Sequence, residues 1–379
     1  ATPSLESFWN ARTGKYELLS LPDRVSGERQ MPTVRIIDRR SEDESRFEPL
    51  SPPLVDAIRG ALDRGDQAIL FHNRRGFARY LQCAACGSVA ECPRCDISLT
   101  WHLSTDQLRC HYCDHRRRRP ERCEECGEEI MDPRGTGTER VELALESRFP
   151  GARVIRMDQD TTRRSQGHRR ILDKFGRGEA DILVGTQMVA KGLHFPKVTV
   201  VGVVDADQGL HFPDFRAHER AFQLLTQVSG RAGRGEAGEV FAQTLDPDHR
   251  VLRHFARHDV VRFLEEELEQ RRQLGYPPLR RLQAVTVTAP REDLLEAALD
   301  RLAVSLRHHL AGEELEILGP ARAVLARINR RYRGQMLIKG DLGTARKHWL
   351  VELFGEIRGG VRGGSTVDLA LDVDPLHLL

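Results

Sequence analysis

The sequence predicts an α/β protein: a parallel sheet with helices on both faces, interrupted by a cysteine-rich insertion and followed by a smaller α+β domain. Three observations predict it. Between residues 34 and 243, short continuous apolar runs alternate with helix-patterned stretches, as expected of strands buried on both faces. All eight cysteines fall between residues 83 and 126. Beyond residue 283 the elements follow the order βαββαβ, a ferredoxin-like arrangement.

In chain order, residues 5–20 read as a helix followed by a short strand, with little in this chain to bury them. Val34-Arg35-Ile36-Ile37-Asp38 is a strand candidate. Residues 51–64 form a helix, with Pro52 and Pro53 at its start and Leu54, Ile58 and Leu62 on one face. The run 68–72 is a buried strand leading into Asn73-Arg74-Arg75-Gly76-Phe77. After the cysteine block, Gly135-Thr136-Gly137-Thr138-Glu139 is a loop with a capping pattern before a helix over 140–149. Strands at 152–157, 181–184, 198–204 and 238–243 then combine with helices at 169–175 and 216–227. Residues 250–274 form one charged helix, stopped by Gly275-Tyr276-Pro277-Pro278. The last domain sets strands at 283–288, 315–318, 334–339 and 366–372 with helices at 292–310 and 342–356. Strands before and after the cysteine block share one character, so residues 83–130 read as an insertion. The sheet domain is then split into 30–82 and 131–265, with 1–29 before it and 266–379 after it.

The cysteines form four C-x-x-C pairs: Cys83/Cys86, Cys92/Cys95, Cys110/Cys113 and Cys123/Cys126. Two residues between thiolates let both face one tetrahedral ion, and two pairs close a four-sulfur shell. Four pairs predict two structural Zn²⁺ ions. The rival readings are a disulfide cluster or unrelated thiols, and no secretory signal accompanies them. The pairs can combine three ways. Cys92/Cys95 and Cys110/Cys113 have a ribbon-like spacing, which leaves Cys83/Cys86 with Cys123/Cys126 in a nested arrangement; sequential pairing is possible but tight. His102, His111 and His115 lie nearby, yet eight sulfurs suffice for two ions.

Composition sets few limits. The net charge is +2 with 30% charged residues, and nothing approaches eighteen apolar residues in a row, so no membrane helix is expected. Local charge says more: residues 116–119 are four arginines, and Arg322, Arg327, Arg330, Arg331, Arg333 and Lys339 form a candidate phosphate-binding face. Trp101, Tyr112 and the run 116–119 read as the exposed mix that stacks bases and tracks phosphates. Metal-held thiolates fit a cytoplasmic compartment. Ala1-Thr2-Pro3-Ser4 is not an initiating sequence, so the chain is expected to be the C-terminal portion of something longer.

Ligands of open parallel sheets gather at the C-terminal ends of strands. There lie Gly185-Thr186-Gln187, leading to Lys191-Gly192, and Asp205 and Asp207. Gly230-Arg231-Ala232-Gly233-Arg234 ends the helix carrying Gln223 and Gln227. Two arginines three apart, set off by glycines, can grip one polyphosphate, although such a string also suits a basic exposed turn.

Residues 226–234, Thr-Gln-Val-Ser-Gly-Arg-Ala-Gly-Arg, resemble motif VI of superfamily 2 helicases, and 185–192 with His194-Phe195-Pro196 resembles motif V. Together with Asn73-Arg74-Arg75-Gly76, the four cysteine pairs, Asp158-x-Asp160-Thr161-Thr162, Asp205-x-Asp207 and 213–220, they follow the order found in the PriA family of primosomal replication-restart helicases. Arg271-Arg272, Pro277-Pro278, Gly319-Pro320 and Leu371-Asp372-Val373-Asp374-Pro375 extend the resemblance across essentially the whole chain. It implies that residues from about 30 to 265 are the second RecA-like helicase lobe, with a nested two-zinc insertion and a C-terminal DNA-binding domain. Residues 1–29 would close the first lobe, and Ala1-Thr2-Pro3-Ser4 resembles its motif III.

By the same resemblance, Gly230, Arg231 and Arg234 contact nucleotide, with both arginines on the γ-phosphate and Gln227 coupling nucleotide to lobe closure. Arg74, Thr186, Gln187 and Lys191 would lie toward single-stranded DNA, and Arg330, Arg331 and Arg333 would bind DNA from the last domain. ATP and Mg²⁺ would be held by a P-loop lobe preceding residue 1, so this chain alone should lack ATPase activity. Implied partners are branched and single-stranded DNA, single-stranded-DNA-binding protein, other primosome proteins and the replicative helicase loader, with no membrane, in a bacterial cytoplasm at the nucleoid. A fork-binding scaffold that recruits these proteins without unwinding is the alternative. A zinc-ribbon transcription or RNA factor would explain the cysteines but not 185–192 or 227–234. Ser229, Ser165-Gln166-Gly167 and Gly334 depart from the family pattern, and Gly334 stands where an aromatic is common.

Overall fold

The computed structural model describes residues 2–20, 31–40, 48–72, 80–94, 97–102, 106–110, 112–128, 131–133, 138–157, 167–186, 195–233, 238–312, 314–360 and 366–378. Helix α1 (Leu5–Arg12) opens the chain, capped by the Ser4 hydroxyl, which accepts from the Ser7 amide. Contrary to expectation it is anchored by two buried side chains. Leu5 and Phe8 enter the main core, and the Leu5 amide donates to the Glu219 carboxylate at 2.9 Å. Each such side chain contributes about 1.5–3 kcal/mol by burial. No strand follows it: residues 17–20 are irregular and exposed.

The sheet domain begins with β1 (Thr33–Asp38), α2 (Pro52–Asp63) and β2 (Gln67–Phe71). The insertion then supplies β3 (Leu81–Cys83), β4 (Thr100–His102), β5 (Gln107–Arg109), β6 (Arg116–Arg118) and β7 (Met131–Pro133). The chain returns to the sheet domain with α3 (Thr138–Arg148), β8 (Val154–Met157), α4 (Gly167–Gly176), β9 (Ile182–Gly185), β10 (Val198–Val203), α5 (Asp207–Leu210), α6 (Ala217–Ser229) and β11 (Glu239–Thr244). The six strands lie in the order β1-β11-β10-β2-β9-β8, with every pairing parallel.

Both faces of this sheet are covered, which explains strands buried at every position. Ile69, Phe71, Leu183, Val201 and Val203 face α4 and α6 through Phe175 and Phe222. Their neighbours Ala68, Leu70, Ile182, Val184 and Val200 face α2 and α3 through Leu54, Ile58, Val141 and Leu145. Gly202 permits that contact, because a Cβ there would stand 2.5 Å from Leu70 and 2.9 Å from Leu54.

The stretch expected as one helix over 250–274 is two, α7 (Arg250–Ala256) and α8 (Val260–Leu274). His258 turns the chain at φ +54°, and Asp259 caps α8 by accepting from the Arg262 amide. Beyond it come β12 (Leu282–Ala289), α9 (Glu292–His309), β13 (Glu316–Ile328), β14 (Arg331–Lys339), α10 (Gly343–Gly360) and β15 (Asp368–Val373). Their antiparallel sheet runs β13-β14-β12-β15, the ferredoxin-like order. The hairpin of β13 and β14 is longer than predicted, continuing to residue 328 and resuming at 331. At Gly334 a Cβ would meet Leu299 of α9 at 2.5 Å and the Ala321 carbonyl at 3.2 Å, so a larger residue there needs Leu299 to shift.

The insertion starts and ends side by side, because β3 pairs antiparallel with β7, while β4, β5 and β6 form a second small sheet. It shares its core with its neighbours. One face of the last sheet packs on α9 and α10 through Val285, Val287, Met336 and Ile338. The other face, through Leu282, Ala284 and Leu337, joins Leu81, Leu108, Cys110 and Tyr112 of the insertion together with Phe215 and Tyr276. Tyr112 is therefore a core residue with no exposure, not a surface base-stacking group.

Candidate zinc centres and the arginine end of helix α6

Two sulfur clusters stand in the insertion. The Sγ atoms of Cys83, Cys86, Cys123 and Cys126 lie within 4.8 Å of one another, and so do those of Cys92, Cys110 and Cys113. Cys95 lies outside the described residues. The separations Cys83–Cys126, Cys86–Cys123 and Cys92–Cys113 are 3.7, 3.6 and 3.6 Å. A tetrahedral zinc with Zn–S bonds of about 2.3 Å sets sulfurs about 3.8 Å apart, whereas a disulfide needs about 2.05 Å. The donor sets fit zinc.

Local backbone geometry aims these sulfurs. Gly87 and Gly127 each follow a C-x-x-C pair at φ +82° and +78°, and their amides donate back to the Cys83 and Cys123 carbonyls at 2.9 Å. Asp114 fills the same place after Cys113 at φ +62°, its amide donating to the Cys110 carbonyl at 3.1 Å. A glycine directly follows the second cysteine at two of these turns, a signal that spacing alone did not use. Burial pushes the Cys83 thiol up to about 12, a cost of deprotonation that a bound dication offsets. Gly87 also seats its turn on the sheet domain, where a Cβ would collide with the Leu245 carbonyl.

The clusters differ in setting. Cys126 is exposed, while Cys92 and Cys110 lie in the core shared with the last domain. Most of the arginine run is engaged within the insertion. Arg116 pairs with Asp114 at 2.7 Å, Arg117 with Glu124 at 2.6 Å, and Arg119 with Asp106 at 3.4 Å while its guanidinium lies 5.4 Å from the Trp101 ring.

Helix α6 links this region to the sheet-end residues. At its start the Phe215 ring stacks on Tyr276 at 4.8 Å, and the Phe215 amide donates to the Tyr112 hydroxyl oxygen at 3.0 Å. One turn on, Glu219 accepts from Arg271, which also binds Glu267 and the Pro277 carbonyl. Arg216 pairs with Glu6 and Glu219. Burial raises the Glu219 carboxyl above its usual range against the pull of these arginines. Sequence reading singled out 213–220, Arg271 and Pro277 only as strings. Together they form a buried junction of α1, α6, α8, the insertion and the last domain.

At the other end of α6, the turn holding Gly230 and Arg231 is closed by amides of Gly230, Arg231 and Ala232 donating to Thr226, Val228 and Ser229. Gly233, at φ +71°, lies against Gly238 of the next strand's approach, where a Cβ would stand 2.3 Å from the Gly233 nitrogen. Arg231 is buried and Gln227 exposed. Thr186 is half-buried just past β9. Arg74, Gln187, Lys191 and Arg234 lie outside the described residues. Asp207 is structural, accepting from the Leu245 amide at 2.7 Å and from the Thr244 hydroxyl.

The expected phosphate-binding face divides. Lys339 is buried, donating to the Leu274 carbonyl at 2.9 Å and lying 4.2 Å over the Tyr276 ring, so it offers nothing to a phosphate. Arg322 pairs with Glu292 and Glu296. Arg331 binds the Thr288 and Thr366 carbonyls and Asp368, and burial lowers the pKa of half-buried Arg333. Arg327 and Arg330 are exposed.

Three family descriptions match the chain: "Primosomal protein N C-terminal domain" over residues 272–376, "PriA DNA helicase Cys-rich region (CRR) domain" over 92–118, and "Helicase conserved C-terminal domain" over 135–236. The replication restart protein PriA of Bacillus subtilis is 47% identical over 100% of this chain and 47% of its own length. That of Haemophilus influenzae is 37% identical over 100% of this chain and 51% of its own. That of Synechocystis is 44% identical over 89% of this chain and 42% of its own. The chain thus spans about half the length of these relatives. Among solved structures, RecG bound to a three-way DNA junction aligns at 16% identity over 72% of this chain and 26% of that one, with a TM-score of 0.39.

Proposed function

Because the chain belongs to the PriA family, we propose that it supplies the second RecA-like lobe, the two-zinc module and a DNA-binding domain of an ATP-dependent DNA helicase that restarts stalled replication forks. The observation that carries this is the parallel six-stranded sheet whose helix α6 leads directly into Gly230-Arg231, in a chain matching PriA proteins along its full length. In this reading Arg231 and Arg234 complete an ATP–Mg²⁺ site when a P-loop lobe closes against them, neutralising charge on the transferred phosphoryl group. Gln227 transmits closure. Arg74, Thr186, Gln187 and Lys191 track the single strand.

Two zinc ions hold the module, with Cys83, Cys86, Cys123 and Cys126 around one and Cys92, Cys95, Cys110 and Cys113 around the other. The ions are structural, since metal binding supplies the folding free energy that so small a module lacks. The working place is the bacterial cytoplasm at the nucleoid. The protein partners are single-stranded-DNA-binding protein, other primosome proteins and the replicative helicase loader. No described helix is long and apolar enough to cross a membrane.

The test joins the chain to a P-loop lobe from a relative and measures DNA-stimulated ATP hydrolysis and fork unwinding. Arg231→Ala should lower both about 10³-fold or more while fork binding persists. Unchanged hydrolysis removes Arg231 from the site. Fork binding without any unwinding by the unsubstituted protein would favour a recruiting scaffold instead. The unjoined chain should hydrolyse ATP no faster than background.

A further inference from the structure

The hairpin of β13 and β14 ends in a tip that projects beyond its sheet. Strand β12 stops at Ala289, opposite Tyr332, so residues 327–331 project past the centre of the sheet. Asn329 and Arg330 form the turn at φ +49° and +63°, the paired left-handed conformation that matches the twist of two strands. The tip is stiffened from below. Ile328 pairs with Arg331, whose guanidinium is anchored to the Thr288 and Thr366 carbonyls and to Asp368. Arg327 pairs with Tyr332 and its guanidinium lies 4.9 Å over that ring.

What remains for a partner is specific. Ile328 is 39% exposed at the end of a rigid ribbon, between Arg327 and Arg330, which are both exposed and make no ion pair among the described residues. Two exposed cations and an exposed aliphatic side chain on a projecting ribbon make a surface complementary to a polyanion. It suits a narrow, negatively charged duplex groove, where arginines meet phosphate or the groove floor and an apolar wedge enters a base step. A single strand is the poorer fit, because the tip's one aromatic ring, Tyr332, has a face covered by Arg327 and is partly packed against the α9/α10 core.

We propose that this tip is a duplex-sensing wedge: it enters the minor groove of a fork's double-stranded arm with Ile328 against a base step and Arg327 and Arg330 on the flanking phosphates. This rests on the DNA-binding reading above and narrows it to a structure, a groove and three residues.

The test uses the whole zinc-loaded chain and a forked DNA carrying 2-aminopurine in its duplex arm. Binding should raise the fluorescence, and distamycin, which occupies the minor groove, should suppress the rise. Ile328→Ala should abolish the rise and weaken binding roughly tenfold. Arg327→Ala with Arg330→Ala should reduce the slope of log affinity against log salt by about two. All three positions are exposed, so folding and zinc content should not change. If the unsubstituted chain binds the fork but these variants match it, or lose equal affinity for a single strand, the wedge assignment is overturned and DNA binding stands. If the unsubstituted chain binds no fork, the DNA-binding reading falls as well.

Discussion

The amide of Phe215 donates to the hydroxyl oxygen of Tyr112 at 3.0 Å, joining two residues 103 positions apart. One end of that bond is the sulfur-rich tip of the insertion, two residues past Cys110, and the other is the start of the helix whose closing turn carries Arg231. The insertion is thereby fastened to the element that carries the proposed nucleotide contacts. Arg271, 4.7 Å above the Phe215 ring, fastens the last domain's approach to the same point.

Tyr112→Phe keeps the ring and removes the acceptor, leaving a buried amide unpaired. It should cost about 1–3 kcal/mol in urea unfolding. Burial holds the Tyr112 phenol well above its ordinary range, so it stays neutral and the loss should be constant across neutral pH. Zinc content should not change. A variant as stable as the parent would mean that the bond is not formed in solution.

The two sulfur clusters should fail differently. Cys110→Ser and Cys126→Ser should each release about one zinc ion, measured by metal analysis. Cys110 lies in the core with Leu282 and Leu337, whereas Cys126 is exposed. Amide exchange in β12 and β14 should therefore quicken in Cys110→Ser and remain slow in Cys126→Ser. The same exchange pattern in both variants would contradict a zinc site coupled to the last domain.

These couplings mark what a single sequence can and cannot show. The C-x-x-C pairs are legible because both ligands of a turn are local, and the buried runs 68–72, 181–184 and 198–204 are legible because both faces of each strand are covered. The order βαββαβ could be read from periodicity alone. Burial that depends on distant partners could not. Helix α1 has few apolar residues, and its anchor is Glu219, 214 positions away. Tyr112 reads as a surface aromatic because its core is assembled from stretches far apart in the chain, including Phe215, Tyr276, Leu337 and Leu378. Lys339 reads as a phosphate ligand because nothing local announces that Tyr276 and the Leu274 carbonyl will enclose it. The break at His258 had a local cue, Asp259 as a cap, which the charged pattern around it masked.

Arg271 is the hinge pin of the buried network, held by Glu267 at 2.8 Å and Glu219 at 3.3 Å with almost no exposure. Arg271→Met would remove one of two arginines from each of two buried carboxylates, Glu219 keeping Arg216 and Glu267 keeping Arg250, at a cost of about 3 kcal/mol. The deficit should shrink as pH falls and the Glu219 carboxyl, which burial already raises above its ordinary range, protonates. Unfolding curves for variant and parent that differ by less than about 1 kcal/mol at neutral pH would show the pair to be solvated rather than buried.

His211, His249 and His218 pack in succession between the insertion and α6, with ring centroids 5.7 and 5.0 Å apart. Burial lowers His211 from an ordinary 6.5 to about 4, and burial first, then the Arg250 charge, depresses His218 as well. His249 is pushed down by burial and by His218. A folded-state value below the unfolded one means that the unfolded chain takes up the proton first as pH falls. Stability should therefore be flat above about 6.5 and decline toward 4, with His211 responsible for up to about 3 kcal/mol of the decline. His211→Gln should flatten the curve by that share and leave the part due to His218 and His249. Because acid also strips zinc from thiolates, the measurement needs excess zinc and a parallel metal assay. If substituted and parent chains lose stability with the same slope between pH 6.5 and 4 while both retain their zinc, the histidine cluster is not what makes the fold acid-labile.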